Sequence, residues 1–193
     1  MIYLASSSPR RAELLRQIGV QFQLFAVAID ESKLANESAA EYVCRMARCK
    51  AQKAAEQIGE DSDTYPVLAA DTIIALNDVI IGKPANPEQC HGILRQLSAR
   101  QHQVLTAIAL VTGPDTELRL SINRVSFRSI SSAEIASYCA SREPGDKAGA
   151  YAIQGRAAVF IEHLEGSYSS VMGLPLFETA ELLRRENIEL FEA

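Results

Sequence analysis

The sequence predicts a single α/β domain, of the mixed α+β kind, in which a twisted, mixed β-sheet is flanked by helices. Three observations support this prediction. The 193 residues are 48% hydrophobic, which is enough apolar material for one buried core. Short apolar strands alternate with helices early in the chain, whereas hairpins occupy the middle. No repeat and no linker divides the sequence, so residues 1–193 are expected to form one domain, which could have two lobes with a site in the cleft.

Composition and charge argue against several classes of protein. The formal net charge of −5 is unlike that of proteins that coat nucleic acid or an anionic membrane. No apolar run approaches the ~20 residues of a membrane span, and the N-terminus enters a strand instead of a signal peptide. No two of the four cysteines form a C-x-x-C motif, so all four are predicted to be reduced thiols: Cys44, Cys49, Cys90 and Cys139. A cytoplasmic location follows from these expectations.

The first predicted elements are a strand and a helix at the N-terminus. The apolar run Ile2–Ala5 is typical of a buried strand. Ser8 and Pro9 are typical of the N-cap and the first position of a helix, and Gly19 is typical of a helix end.

Two adjacent arginines in the first turn of that helix require an explanation. The N-terminus of a helix carries a partial positive charge, so cations there are unfavourable by ~0.3–1 kcal/mol each at exposed sites. Arg10 and Arg11 are therefore interpreted as part of an anion site, in which backbone N–H groups, serine hydroxyls and guanidinium groups surround phosphate oxygens. The alternative is a solvated basic turn paired with nearby carboxylates.

The next elements bring carboxylates to the end of a strand. A strand is predicted from Phe22 to Ile29, and it places Asp30 and Glu31 at its carboxyl end. A capping box formed by Ser38 and Glu41 opens a long helix that runs to about residue 58.

The later elements follow from local patterns and from turn residues. They are a strand at 66–70 ending in Asp71-Thr72, an extended segment at 73–76, a turn at 77–78, a strand at 79–81, a helix capped by Asn86, strands at 104–112 and 117–128, a helix opened by Ser131 and Glu134, a strand at 157–164, a loop at 166–170 and a helix at 176–185.

Charged residues at the ends of several predicted elements suggest one site. Asp30, Glu31 and Asp71 follow strands, and open α/β sheets place their sites at strand ends. Each carboxylate alone could be an ordinary turn residue. Together with the two arginines and Lys83 in the turn Gly82-Lys83-Pro84, they suit a Mg²⁺ or Mn²⁺ ion and a phosphorylated ligand.

The segment 146–155 combines small residues with one aromatic and one amide side chain. Such a backbone can approach a flat ligand closely, and Gln154 could bind a base edge because its amide both donates and accepts hydrogen bonds. A tight structural loop is the alternative. No G-x-G-x-x-G, P-loop or G-x-S-x-G motif is present, so the residues by themselves predict a metal-assisted site for a phosphorylated small molecule.

The ordered motifs resemble those of the Maf family of nucleoside triphosphate pyrophosphatases. The matching segments run over almost the whole chain: Ala5-Ser-Ser-Ser-Pro-Arg-Arg-x-Glu-Leu-Leu15, Asp30-Glu31, Ala47-x-x-Lys-Ala51, Ala70-Asp-Thr72, Gly82-Lys-Pro84, His102-x-Val-x-Thr106, Asp146-Lys-Ala-Gly-Ala-Tyr151, Ile153-Gln-Gly155 and Gly173-Leu-Pro-Leu176.

The resemblance implies a Maf/ITPase-like fold, a homodimer and hydrolysis between the α and β phosphates of a nucleoside triphosphate with a divalent cation. By position, Asp71 corresponds to the proton acceptor of the family and Glu31 to a metal-binding residue. The implied phosphate-binding residues are Ser6, Arg11, Lys50 and Lys83.

Three positions that differ between family subgroups imply the substrate. Arg10, Thr72 and Gln154 resemble the subgroup that hydrolyses dTTP and UTP, whereas the subgroup that hydrolyses 7-methyl-GTP carries an aromatic residue, Gln and Glu there. The expected function is therefore a dTTP/UTP pyrophosphatase that sanitises the nucleotide pool. The alternatives are a pyrophosphatase for modified or methylated nucleotides, and a nucleotide-binding regulator of septum formation in cell division.

Three residues depart from the usual pattern of the family. Ala99 and Ala152 replace glycines, and Ser170 replaces a frequent Asn. If the backbone at residue 152 had a positive φ, the Ala152 methyl group would be strained.

Overall fold

The computed structural model describes residues 1–141 and 143–191, which form a mixed sheet flanked by helices. Arg142, Glu192, Ala193 and the side chain of Asp146, all within the predicted domain 1–193, lie outside the described part of the chain. The strands are β1 (Ile2–Ala5), β2 (Phe22–Leu24), β3 (Val67–Leu76), β4 (Val79–Ile81), β5 (Gln101–Thr112), β6 (Asp115–Phe127) and β7 (Ile161–Glu165). The α-helices are α1 (Pro9–Gln17), α2 (Ala39–Ile58), α3 (Asp61–Thr64), α4 (Pro87–Leu97), α5 (Ser132–Ala140), α6 (Tyr168–Met172) and α7 (Leu176–Arg185).

The sheet is mixed, as predicted. Its strands lie in the order β2-β1-β3-β5-β6-β7, and β4 pairs with β3. The first three strands of this order are parallel, whereas the hairpins of the middle of the chain make every other pair antiparallel. No helix among the described residues is long and apolar enough to cross a membrane.

Helices cover both faces of the sheet because successive strand residues point to opposite sides. Tyr3 and Ala5 pack in the same core cluster as the apolar side of α2. Ile2 and Leu4 pack on the other face, in a cluster that includes buried residues of α1 and α7. Farther along that sheet, Ile74 and Leu76 of β3 join a third cluster with residues of α4 and α5.

A gap in strand pairing lies on one edge of β3. On that edge β3 pairs with β1 up to Ala69 and with β4 from Ile74 onward. Among the described residues, 70–73 therefore have no strand partner on that edge, although they pair with β5 on the other. The chain leaves β1 at Ser6 and leaves β4 at Gly82, so both ends reach this gap.

The capping residues in the sequence correctly predicted where three helices begin. The capping box of Ser38 and Glu41 opens α2, and that of Ser131 and Glu134 opens α5. Asn86 caps α4 through a hydrogen bond that its side chain accepts from the Gln89 N–H at 2.8 Å. These signals involve neighbours three residues apart, so they depend little on the rest of the fold.

Three predictions of secondary structure were wrong, and a fourth divided one strand in two. The strand predicted at 22–29 ends at Leu24. The strand predicted at 66–70, ending in Asp71-Thr72, and the extended segment at 73–76 form one strand, β3. The segment predicted as a strand at 157–164 begins as a 3-10 helix, Arg156–Phe160, and only then becomes β7. The loop predicted at 166–170 overlaps α6, which a hydrogen bond from the Ser170 N–H to the Ser167 hydroxyl helps to start. For β2 and β3, pairing with neighbouring strands, which short patterns do not contain, decides where the strand ends.

The prediction that all cysteines are reduced was also wrong for one pair. Cys90 on α4 and Cys139 on α5 form a disulfide, with their Cα atoms 6.1 Å apart. Cys44 and Cys49 on α2 are free thiols. The pair is separated by 49 residues in sequence and meets because the two helices pack together, which the spacing of the cysteines could not indicate.

Of the two alanines that replace usual glycines of the family, Ala99 and not Ala152 has a positive φ. The φ of Ala99 is 55°, whereas Ala152 is absent from the residues with positive φ in the described chain. Ser98 has φ −56° and ψ 133°, and the Arg100 N–H donates to the Leu97 carbonyl. This is a type II β-turn, whose third position favours glycine because L side chains are strained at positive φ.

We expect Ala99→Gly to stabilise the protein by about 0.5–1 kcal/mol, because glycine removes the strain of the left-handed backbone. Urea denaturation followed by circular dichroism would measure the change. Ala152→Gly is the matched control, and it should be neutral or destabilising because it only adds freedom to the unfolded chain. A lower midpoint for Ala99→Gly than for the wild type would contradict the expectation.

Candidate active site

A cleft with a volume of about 940 Å³ lies at the gap in β3, and it brings the predicted site residues together. Nine line it: Ser6, Arg10, Arg11, Glu31, Lys50, Asp71, Thr72, Lys83 and Gln154. Asp30, the tenth candidate, does not line the cleft, and its carboxylate accepts a hydrogen bond from the Ser32 N–H at 2.9 Å. The nine residues come from α1, α2, β3 and four connecting segments. Asp71 lies within β3 and not at a strand end, but β1 ends beside it and leaves it accessible.

The end of β1 and the start of α1 form the basic side of the cleft. The Ser6 hydroxyl accepts a hydrogen bond from the Ser8 N–H at 3.1 Å, whereas Ser8 occupies the N-cap position without a side-chain cap. Ser8 is therefore the N-cap residue of α1, as predicted, although its hydroxyl makes no capping hydrogen bond. Pro9 is the first residue of α1, as predicted, and Arg10 follows it at the rim of the cleft.

Arg11 is held in one orientation by three hydrogen bonds. Its Nε donates to the Gly173 carbonyl at 2.9 Å, and its two terminal nitrogens lie 3.2 Å from Thr72 Oγ1 and 3.4 Å from Ser6 Oγ. Burial lowers the pKa of Arg11, and the nearby charge of Arg10 lowers it further, while Asp71 opposes the shift. The guanidinium group stays protonated because its ordinary pKa is so high. It is thus a fixed positive charge at the wall of the cleft.

Lys50 joins the two carboxylates of the site. Its Nζ lies 2.7 Å from Asp71 Oδ1 and 2.7 Å from Glu31 Oε1. Burial lowers the pKa of Lys50, but the charge of Asp71 and hydrogen bonds to both carboxylates outweigh burial and raise its pKa overall. The hydrogen bond from Lys50 is the main reason why the pKa of Glu31 is below its usual value. Lys50 therefore contacts two carboxylates in this structure, in addition to lining the cleft in which a phosphate is expected to bind.

Residues of α2 that sequence reasoning missed hold the segment carrying Glu31. The Tyr42 hydroxyl donates to the Glu31 carbonyl at 2.8 Å, and an Arg45 terminal nitrogen donates to the Ser32 carbonyl at 3.0 Å. Tyr42 also lines the cleft. Tyr42 and Lys50 are eight residues apart on one helix, which puts them on the same face, and this spacing was the signal available in the sequence.

The carboxylates fit the requirements of a divalent cation. Glu31 and Asp71 both direct an oxygen at the same cationic group, Lys50 Nζ. No cluster of three or more His, Cys, Asp or Glu side chains that could hold a metal ion occurs in the described ranges 1–141 and 143–191. Mg²⁺ in nucleotide enzymes is typically held by one or two carboxylates together with substrate phosphates and water. The pair present therefore suits an ion that arrives with a phosphorylated ligand.

The opposite side of the cleft carries Gln154 on a tight turn. The Gly155 N–H donates to the Ala152 carbonyl at 3.1 Å, which places Gln154 at the exposed tip of this turn. The Glu143 carboxylate supports the turn by accepting from the Arg156 N–H at 3.1 Å, and a Cβ at Gly155 would collide with that carboxylate. Glu143 was not predicted as part of the site.

Lys83 and the Gln154 segment are joined through the backbone. The Gly149 N–H donates to the Gly82 carbonyl at 3.1 Å, so the turn that presents Lys83 is attached to the segment preceding Gln154. Gly149 has φ +68°, and an added Cβ there would collide with Ile74 of β3. The small residues of this segment therefore allow close packing, as expected for a tight structural loop. They also place Gln154 at the cleft.

The arrangement can bind a polyanion and activate water. Five lysine and arginine residues line the cleft, whereas the whole chain has a formal net charge of −5. A carboxylate, Asp71, lies among them within β3 and is accessible from the cleft. Positive side chains stabilise charge that develops on phosphates, and a carboxylate can accept a proton from water.

Comparison with known proteins relates the whole chain to one family. The family model described as Maf-like protein matches residues 1–186. A protein of Nitrosospira multiformis named dTTP/UTP pyrophosphatase is 50% identical over 99% of this chain and 97% of its own length. Proteins with the same name from Aromatoleum aromaticum and Pasteurella multocida are 51% and 45% identical, over 94% and 98% of this chain and 93% and 97% of their own lengths.

Similarity to solved structures is weaker. The Ham1 protein of Staphylococcus aureus matches with a TM-score of 0.40 and 12% identity, over 65% of this chain and 71% of that chain. A similarity of this size supports no conclusion about mechanism.

Proposed function

Because the chain belongs to the Maf family, we propose that it is a dTTP/UTP pyrophosphatase, which hydrolyses the nucleoside triphosphate to the monophosphate and pyrophosphate. The observation that carries the proposal is the single cleft that nine of the ten candidate residues line. Relatives about half identical to the chain over nearly its full length bear the name of this activity.

Asp71 is the proposed general base. Its carboxylate lies on a strand that is hydrogen-bonded to β5, so its position is well defined. It would orient a water molecule toward the α phosphorus and accept its proton as the bond to the β phosphate breaks. Lys50, with its Nζ 2.7 Å from Asp71 Oδ1, places a positive charge beside this carboxylate.

The basic residues would hold the phosphates. Arg11 can present the N–H groups that its three hydrogen bonds leave over, because a guanidinium group has five. Ser6 and Lys83 line the same space, and Lys83 can adjust its flexible ammonium group to a phosphate oxygen. Glu31, with Asp71 beside it, would hold Mg²⁺ or Mn²⁺, which when bound neutralises phosphate charge and favours departure of pyrophosphate.

The proposed selectivity residues are Arg10, Thr72 and Gln154. Gln154 is exposed at the tip of its turn, so its amide is able to meet a base. A uracil or thymine edge presents both donors and acceptors, which an amide can match and a carboxylate cannot.

A panel of nucleotides would test the function. The purified protein is incubated with dTTP, UTP, the other common triphosphates and 7-methyl-GTP, with Mg²⁺ or Mn²⁺, and pyrophosphate release is measured. We expect dTTP and UTP to be the best substrates. Preference for 7-methyl-GTP would favour the methylated-nucleotide alternative, and tight binding without any product would favour a regulatory role. Absence of pyrophosphate release from dTTP and UTP with either metal would refute the proposal.

We expect Gln154→Glu to lower kcat/KM for dTTP and UTP by about 10-fold to 100-fold, because a carboxylate repels the carbonyl oxygens of the pyrimidine and cannot donate to them. The same panel measures this effect. Gln57→Glu, an equal change of charge on the exposed side of α2, is the control and should leave kcat/KM unchanged. An unchanged preference in Gln154→Glu would remove Gln154 from base recognition.

The homodimer and the cytoplasmic location stay predictions. Light scattering of the purified protein would test the first, with a mass of twice 21.1 kDa expected. Fractionation of cells that produce the native protein would test the second.

A further inference from the structure

A buried threonine is hydrogen-bonded to Thr72, which holds Arg11, and to Ser170, whose carbonyl accepts from the Gly173 N–H. Thr106 on β5 is fully buried, and it pairs in register with Thr72 on β3. Its Oγ1 lies 2.8 Å from the Ser170 carbonyl oxygen and 3.1 Å from Thr72 Oγ1. Neither the identified site residues nor the proposed mechanism includes Thr106.

The Thr106 hydroxyl is the donor toward both of these oxygens. It donates to the Ser170 carbonyl at 2.8 Å and, at the longer distance of 3.1 Å, to Thr72 Oγ1. Thr72 Oγ1 also accepts from an Arg11 N–H group 3.2 Å away, so one oxygen connects Thr106 to Arg11.

Thr106 also reaches the second partner of Arg11. The Ser170 carbonyl that accepts from Thr106 accepts as well from the Gly173 N–H at 2.9 Å, at the end of α6. The Gly173 carbonyl in turn accepts from Arg11 Nε at 2.9 Å. Two of the three hydrogen bonds of Arg11 therefore lead to Thr106, one through Thr72 and the other through Gly173 and Ser170.

The far side of α6 is fixed independently. The Asn123 side chain donates to Ser170 Oγ at 2.9 Å and accepts from the Ser167 N–H at 2.7 Å. Ser170 is fully buried, so α6 is anchored to β6 as well as to β5. The position of α6 thus has a second support, whereas Thr106 is the residue that donates to the Thr72 hydroxyl oxygen from the interior of the sheet.

We propose that Thr106 is a positioning residue, which orients the Arg11 guanidinium group for the phosphates by fixing the Thr72 hydroxyl and the Gly173 carbonyl. The kinetic part of this inference rests on the proposed function. It also gives Thr72 a specific role: its oxygen accepts from both Thr106 and Arg11, so Thr72 can influence substrate binding through the position of Arg11.

The test compares Thr106→Val with Thr106→Ser. Valine keeps the shape but removes the hydroxyl, and the Ser170 carbonyl keeps its bond from Gly173, so no carbonyl is left without a partner. We expect Thr106→Val to raise KM for dTTP about tenfold, the loss that corresponds to one hydrogen bond of about 1.4 kcal/mol, with Thr106→Ser restoring most of it. A merely structural defect would reduce the active fraction and hence kcat, with KM unchanged.

Two further variants make the comparison specific. Thr179→Val removes the hydroxyl of another fully buried threonine, one whose Oγ1 has no hydrogen-bond partner in the described structure, and it should leave KM unchanged. Arg11→Lys cannot maintain the fork of hydrogen bonds, so adding Thr106→Val to Arg11→Lys should change KM less than twofold if Thr106 acts through Arg11. Equal effects of Thr106→Val in both backgrounds would overturn the proposal.

A direct readout does not require turnover. The NMR signal of the Arg11 Nε–H group can be assigned by its loss in Arg11→Lys. This group should exchange with solvent about tenfold faster in Thr106→Val than in the wild type, because one hydrogen bond of about 1.4 kcal/mol corresponds to a tenfold change in an equilibrium constant. If the wild type releases no pyrophosphate, the proposed function fails but this measurement still decides the role of Thr106. Unchanged exchange in Thr106→Val would overturn the inference whatever the activity of the wild type.

Discussion

Replacing Asp71 with asparagine is expected to reduce kcat for dTTP by about 10²-fold to 10⁴-fold, the range that a positioned general base contributes. The amide has nearly the same shape but cannot accept a proton from water. Lys50 keeps its partner Glu31 at 2.7 Å, so the site should remain folded and should still bind the nucleotide. Steady-state kinetics measures the turnover, and calorimetry with dTTP measures the binding.

The control for this variant is Asp115→Asn, which makes the same chemical change at the exposed start of β6. It should behave as the wild type in both measurements. Turnover of Asp71→Asn within tenfold of the wild type would show that another group is the base. A large loss of nucleotide affinity would instead assign Asp71 mainly to binding.

Replacing Lys50 with methionine is expected to lower kcat/KM by about 10²-fold to 10³-fold, the effect of removing one electrostatic group from a reactive centre. Methionine retains the apolar stem of the side chain but leaves Asp71 and Glu31 without their shared cation. Lys53→Met is the matched control, because Lys53 lies on the same helix with an exposed ion pair to Glu56.

The pH dependence of the residual activity gives a second measure of the Lys50 variant. In the wild type the hydrogen bond from Lys50 lowers the pKa of Glu31, so that carboxylate stays ionised to a lower pH than usual. Without the ammonium group the pKa of Glu31 must rise, and the two carboxylates repel each other. The acid limb of the pH–kcat/KM profile should therefore move to higher pH. An acid limb at the wild-type pH would mean that Glu31 does not contribute to it.

The sequence predicted those parts of the fold that depend on near neighbours. Both capping boxes, the N-cap at Asn86 and the turn at Asn77-Asp78 occur as expected. The two turn residues have φ values of 51° and 62°, as a type I′ hairpin requires. Such features need only a few adjacent residues, so the same sequence produces them in many contexts.

Features decided by distant contacts were predicted less well. Glu31 reaches the cleft although its strand ends seven residues earlier, because the Tyr42 hydroxyl holds its carbonyl from α2. The bond between Cys90 and Cys139 depends on how two helices pack. Resemblance to a family gave all nine residues of the site, but it could not give the hydrogen bonds that connect Thr72 to Thr106.

The gap beside β3 separates two kinds of structure within one cleft. Asp71 lies on a strand that β5 holds through a continuous ladder, so backbone changes there would disturb the centre of the sheet. Gln154 lies on a turn outside any strand, held by Glu143 and by its own tight geometry. Substitutions in the turn can therefore accumulate without moving the Asp71 carboxylate, the proposed general base. A lineage could acquire a new nucleotide preference in small steps, each leaving hydrolysis intact.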